Sequence, residues 1–225
     1  MSSRPEASYA AAPAPLTTPT FGPATTGKVG MWIFLVTDAM TFGGLLLAYG
    51  ILRAGNTQWP TPTSILGIPF TAVMTFVLIV SSLTMVLALD AAKHGNAKQA
   101  VRWLLATASG GVFFLCGQIY EYRHLIHEGL LPSGIRDGSA LAARLVDSGK
   151  LTATAAGLFG SAFFTMTGFH GFHVTCGVIC MTFVTIKAFR GGYSGGRFKG
   201  VEVIGLYWHF VDLVWIILFT IVYLI

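Results

Sequence analysis

Charge is what this sequence has least of. Only 10% of its 225 residues are Asp, Glu, Lys or Arg, against 54% hydrophobic residues. A water-soluble domain carries about 25% charged residues, so a soluble core cannot absorb this apolar excess. Cysteine is scarce too: the three present lie inside apolar runs and form no paired framework of the secreted kind. The first 27 residues (MSSRPEASYAAAPAPLTTPTFGPATTG) lack the apolar centre of a signal peptide and, rich in Ala, Pro, Ser and Thr, read as a flexible tail. No repeat of fixed period is visible. The Gly-rich stretch near 191–196 follows no strand and precedes no Gly-Lys-Ser/Thr, which excludes a phosphate loop and leaves a turn. The formal charge of +5 does not point to nucleic acid, because the basic residues are not clustered with aromatics on one polar segment.

What the chain does have is five long apolar stretches, at about 30–52, 65–89, 101–126, 155–188 and 203–225. A bilayer is spanned by roughly 20 mainly apolar residues. The fold class is therefore an all-α integral membrane protein: a tail over 1–27, then a five-helix transmembrane domain over 28–225. The fourth stretch exceeds what a bilayer needs, so it tilts or protrudes. Lys and Arg are retained on the cytoplasmic side. Arg4, Lys28, Lys93, Lys98, Arg102, Lys187, Arg190, Arg197 and Lys199 fall on one side; Arg53, Arg123, Arg136, Arg144 and Lys150 fall on the other, diluted by Glu128, Asp137 and Asp147. This asymmetry puts the amino terminus in the cytoplasm and the carboxyl terminus outside. In the third loop, LAARLVDSG reads equally as a short amphipathic helix or an irregular connector. Trp32, Trp59, Trp103 and Tyr223 fall near the expected interfaces, as anchoring aromatics do. Gly43, Gly44, Ser81, Ser82, Gly110, Gly111, Gly157, Gly160, Gly168 and Gly171 offer small surfaces for close helix contact.

The polar residues inside the spans carry the functional question. A charged side chain at the centre of a transmembrane helix costs about 2.5–3.5 kcal/mol on insertion scales, so each needs a partner or a purpose. At about 1.5 Å rise per residue, Glu121 lies roughly 29 Å above Arg102, and His170 and His173 lie roughly 26 and 21 Å above Lys187. Glu121 and His170 are thus expected to meet. His170 and His173 share a helix face, as do His209 and Asp212. Glu121, His170, His173, His209 and Asp212 form a candidate buried polar network, read first as a seam holding helices together. Asp38 stands roughly 15 Å above Lys28, at a depth similar to Asp212, with only Thr37 and Thr41 of its own helix for polar company. Such a carboxyl points to proton handling, with interhelical bonding as the alternative.

Metal ligation has little to stand on. His173, Cys176 and Cys180 recur at helical spacing, and Cys176-x-x-x-Cys180 superficially matches a dinuclear copper motif. Such a site draws further His and Met ligands from a loop in a soluble domain, and only Met181 follows here. The cysteines are read as buried small hydrophobes. The spans offer His170, His173 and His209, too few for a self-contained haem or haem–copper centre.

Five segments, TDAMTFGGLLLAY, SSLTMVLALDAAKHG, GQIYEYRHL, FFTMTGFHGFHVTCG and YWHFVDLVWIILF, stand in the order found in subunit III of haem-copper respiratory oxidases, the cytochrome c oxidase family. The chain resembles that family throughout residues 30–225, most specifically at GFHGFHV and YWHFVDLVW. The resemblance implies an accessory, non-catalytic subunit of a proton-pumping terminal oxidase in the prokaryotic plasma membrane. The complex would pass electrons from cytochrome c to dioxygen, with haem and copper in partner subunits and none in this chain. Subunits I and II are the implied partners, together with phospholipid bound in a cleft between two helix groups. Support of proton uptake and durability in turnover are the implied roles. Many members have seven spans, and this chain looks like a five-span form without the first two. The family usually places Glu where Asp38 stands. Related five-span accessory proteins of nitric oxide reductase systems resemble the YWHFVDLVW region, while EYRHL and GFHGFHV favour the oxidase. A quinol oxidase subunit III is a further alternative, since another subunit reads the donor. An independent transporter would show an internal repeat with broken helices, and none is seen.

Overall fold

The computed structural model describes residues 26–149, 151–190 and 199–225. Most of the expected tail and the Gly-rich turn near 191–196 lie outside the described residues. Five helices are long and apolar enough to cross a membrane: α1 (Thr26–Ala54), α3 (Ile68–Lys93), α4 (Ala97–Glu128), α6 (Ala153–Phe189) and Lys199–Leu224. The last consists of α7 (Lys199–Leu218) and a closing π-helical turn, Phe219–Leu224. Two short helices, α2 (Pro62–Ile65) and α5 (Ala140–Leu145), and a two-residue hairpin, β1 (Leu130–Leu131) with β2 (Gly134–Ile135), fill the connections.

Local chemistry sets the ends. Asn96 starts α4 by accepting the Gln99 amide, and Thr152 starts α6 by accepting the Ala155 amide, so each covers an amide the helix leaves unpaired. Gly129 closes α4 with φ of 106°, a conformation that favours glycine, and its N–H donates to Leu125 and Ile126 carbonyls. The second span begins at Ile68 rather than 65, because Pro69 in the first turn of α3 has no amide to offer the preceding turn and Ile65 belongs to α2. Thr26 and Gly27, placed in the tail by composition, are the first residues of α1. LAARL resolves into α5, with Ser139 accepting the Ala142 amide and Leu141, Ala142 and Leu145 buried. At about 1.5 Å per residue, the 37 residues of α6 extend roughly 55 Å, well beyond a hydrocarbon core of about 30 Å.

The hairpin of α3 and α4 forms the most extensive contact, α6 packs on α4, and α7 lies against α3 and α6. α1 rests on α6 and α7, leaving Ile33, Met40, Leu47 and Ile51 on an open face. Close approach at the centre depends on the glycine pair of α4. A Cβ on Gly110 would sit 2.8 Å from that of Ser81, and one on Gly111 would sit 2.6 Å from the Trp208 ring and 2.7 Å from Val178. Gly43 and Gly44 do not play the contact role expected of them: a Cβ on either would meet nothing within 4 Å. Tyr223 also departs from expectation. It is fully buried, not an interfacial anchor, whereas Trp32 is 57% exposed.

Gly111→Val should lower the thermal midpoint in detergent by the equivalent of about 1–3 kcal/mol through overpacking against Trp208. Gly43→Ala should leave it unchanged. Equal effects of the two, measured by intrinsic fluorescence on heating, would contradict the packing order described.

Candidate functional site

α1 turns a narrow stripe inward, Leu35, Asp38, Phe42 and Tyr49, at helical spacing. This carries Asp38 to α6, where its Oδ1 lies 3.1 Å from Nε2 of His173, and both side chains are about 8% exposed. Thr37 and Thr41, its expected company, instead donate to Phe34 and Thr37 carbonyls of their own helix. The His173 ring is packed by Phe169 and Phe42, at 4.6 and 5.3 Å between centroids, and Tyr207 of α7 donates to the His173 carbonyl at 2.9 Å.

The other ring nitrogen decides what this pair holds. Nδ1 of His173 lies 2.8 Å from the Phe169 carbonyl, an acceptor only, so Nδ1 carries a proton. Nε2 of a neutral ring is then itself an acceptor, and it faces a carboxylate, also an acceptor. The 3.1 Å contact therefore requires one further proton, either on Nε2 or on Asp38. The contact therefore bridges α1 and α6 through that proton.

Glu121 does not meet His170. Its two oxygens accept from the hydroxyls of Thr71 on α3, at 3.0 Å, and Tyr223 in the π-helical turn, at 2.9 Å. His170 is completely buried, and neither ring nitrogen has a hydrogen-bond partner among the described residues. It stacks on Trp215, centroids 4.8 Å apart, with Phe114 edge-on at 5.5 Å. Similar depth did not bring the two together, because depth says nothing about which way a side chain points around its helix. His209 meets an unexpected residue. The Ser82 hydroxyl of α3 lies 2.6 Å from Nδ1 of His209, while Oδ1 of Asp212 is buried without a hydrogen-bond partner among the described residues. Asp38 and Asp212, similar in expected depth, belong to separate centres. The expected single network is thus three separate polar centres plus one histidine packed as an aromatic.

Sequence reasoning missed Thr71, Tyr223 and Ser82 as partners, having read Tyr223 as an anchor and Ser82 as a small packing surface. It also missed a fourth group, in which Gln118 donates to the Thr167 carbonyl at 2.6 Å and Tyr122 bonds the Thr167 hydroxyl at 2.7 Å, joining α4 to α6. The available signal was a set of hydroxyls and one amide inside apolar stretches.

The family described as cytochrome c oxidase subunit III matches residues 148–225. Over 197 residues the chain is 34% identical to a probable cytochrome c oxidase subunit 3 of Nocardia farcinica, covering 87% of this chain and 86% of that protein. The chain belongs to the cytochrome c oxidase subunit III family. Two other relatives bracket it. The cytochrome c oxidase subunit 3 of Thermostichus vulcanus is 33% identical over 197 residues, covering 87% of this chain and 86% of that protein. The cytochrome bo(3) ubiquinol oxidase subunit 3 of Pseudomonas aeruginosa is 33% identical over 195 residues, covering 87% and 83%. The stretch matched by the subunit III family description holds α6 and α7, hence His170, His173, His209, Asp212 and Tyr223. Asp38, Thr71 and Glu121 lie outside it.

Glu121→Leu should cost about 1–3 kcal/mol of stability, since it leaves the buried Tyr223 hydroxyl without its acceptor and Thr71 with only the Gly67 carbonyl, 3.3 Å away. His170→Phe, which removes no hydrogen bond and keeps a ring against Trp215, should cost less than about 1.5 kcal/mol. A double-mutant cycle on Asp38→Asn and His173→Leu should return a coupling of roughly 0.6–1.7 kcal/mol. Reversible unfolding in mixed micelles measures all three, and zero coupling would dismiss the pair.

Proposed function

We propose that this chain is the accessory subunit III of a membrane-bound terminal oxidase, which carries electrons from cytochrome c to dioxygen and pumps protons. The observation that carries this reading is the 34% identity over 197 residues to a probable cytochrome c oxidase subunit 3, across 87% of the chain. In this role it braces subunit I, beside subunit II, binds phospholipid, and supports proton uptake. The setting is a prokaryotic plasma membrane, with the amino terminus cytoplasmic on the strength of the Lys and Arg distribution. Haem and copper belong to the partner subunits.

The proton role falls to Asp38 and His173. Their contact needs one proton beyond that on Nδ1, so the pair takes up or releases a proton with little movement of either helix. Such a group, held inside a span, serves as a proton reserve beside the entrance of a pumping subunit.

A second reading draws on the ubiquinol oxidase subunit 3 relative at 33% identity: the complex oxidises a quinol instead. Steady-state assays of the complex purified through this chain separate the two donors. Co-purification of a haem and copper protein supports the oxidase; recovery of a nitric oxide reductase, or of the chain alone, overturns it. In the same preparation Asp38→Asn should leave assembly intact and lower sustained turnover. Unchanged turnover and proton stoichiometry would remove Asp38 from the proton path.

A further inference from the structure

Two of the membrane-spanning helices leave a groove between them. α1 lines it with Trp32, Leu35, Val36 and Ala39, and α7 lines it with Leu206, His209, Phe210 and Leu213. Both sets follow the spacing i, i+3, i+4, i+7, which gathers four side chains into one stripe along a helix. The two helices run in the same direction. Lys28 near the start of α1 lies 2.5 Å from Glu202 near the start of α7, one turn before the first residue of each stripe. Two stripes in register thus flank a space of about 350 Å³. That is the hole a third helix fills. Leu35 is buried in its floor, whereas Trp32, Val36, Ala39 and Leu213 are exposed. Gly43, one turn beyond Ala39, extends the α1 stripe at a position where a Cβ would meet nothing within 4 Å. Small residues there let another backbone approach closely.

The groove is apolar except at His209. Its Nδ1 is taken by the Ser82 hydroxyl at 2.6 Å, and its Nε2 has no hydrogen-bond partner among the described residues. Unlike the nitrogens of His170, Nε2 is not sealed inside the bundle, so it is open to an occupant of the groove. An unanswered polar atom inside a span calls for a partner. Depth decides what can supply one. His209 stands roughly 15 Å along α7 from Lys199, at the middle of a hydrocarbon core of about 30 Å. Acyl chains carry no hydrogen-bonding group at that depth, whereas a protein helix brings side chains to it. We infer that the groove seats one transmembrane helix of a partner chain, a role that rests on the reading of this chain as an oxidase subunit. A hydroxyl or amide side chain of that helix bonds Nε2 of His209, and its backbone lies close to Ala39 and Gly43.

The test uses the complex purified through this chain, with a photoreactive benzophenone side chain at Val36 or, separately, at Leu213, one on each wall. Irradiation should join both positions to the same transmembrane segment of one other polypeptide, identified by mass spectrometry of the adducts. Adducts to lipid alone, to a second copy of this chain, or to different segments from the two walls would overturn the site. His209→Leu should lower recovery of that polypeptide about three- to twentyfold, the range of a hydrogen bond between membrane helices. His209→Gln, which keeps a hydrogen-bonding amide, should preserve it. If His209→Leu does not fold, Ala39→Trp, which fills the groove from an exposed position, should lower recovery severalfold while the chain keeps its thermal midpoint. Recovery indifferent to both His209→Leu and Ala39→Trp also overturns the site. Oxidase subunits recovered without a shared adduct sink the site alone, whereas a shared adduct to a nitric oxide reductase upholds the site and sinks the proposed function.

Discussion

Hydrocarbon offers no hydrogen-bond partner, so a polar side chain inside these spans is costly unless its own helix or a neighbouring one answers it. That constraint organises the bundle. Apolar side chains alone give transmembrane helices little reason to prefer one another over lipid. The polar centres supply the preference: Asp38 with His173 ties α1 to α6, Glu121 ties α4 to Thr71 of α3 and Tyr223 in the closing π-helical turn, and Ser82 ties α3 to His209 of α7. Gln118 and Tyr122 add a fourth tie from α4 to Thr167 of α6. The glycine pair of α4 brings the backbones close enough for the buried rings of Trp208 and Trp215 to fill the middle.

The centres differ in chemical character. Glu121 accepts from two neutral hydroxyls, one to each oxygen, an arrangement that serves the fold. Asp38 and His173 face each other as two acceptors unless a proton sits between them.

Apolar run length made the five spans legible, and two features at their ends were legible in part. Composition put Thr26 and Gly27 in the tail because they are small and polar, yet they extend α1. LAARL was evenly balanced between helix and connector until Ser139 was seen capping it and its leucines were seen buried. The site was harder to read. The carboxylates and histidines stand out in an apolar background, but Thr71, Ser82 and Tyr223 do not, since hydroxyls are common in spans and usually bond their own helix, as Thr37 and Thr41 do. Gly43 and Gly44 look like Gly110 and Gly111 in the sequence, and only the last two face a neighbour.

By itself the sequence determined that five stretches are long and apolar enough to cross a membrane, and that a few acidic and histidine residues lie within them, because insertion energy depends on composition along the chain. It also carried the family, through motifs that keep their order. Only the tertiary structure decided who meets whom. Depth along a helix follows from a fixed rise per residue, but the direction a side chain takes depends on how each helix is rotated against the others. That rotation gave His173 to Asp38, turned His170 toward Trp215, and left Glu121 to two hydroxyls the sequence had not marked.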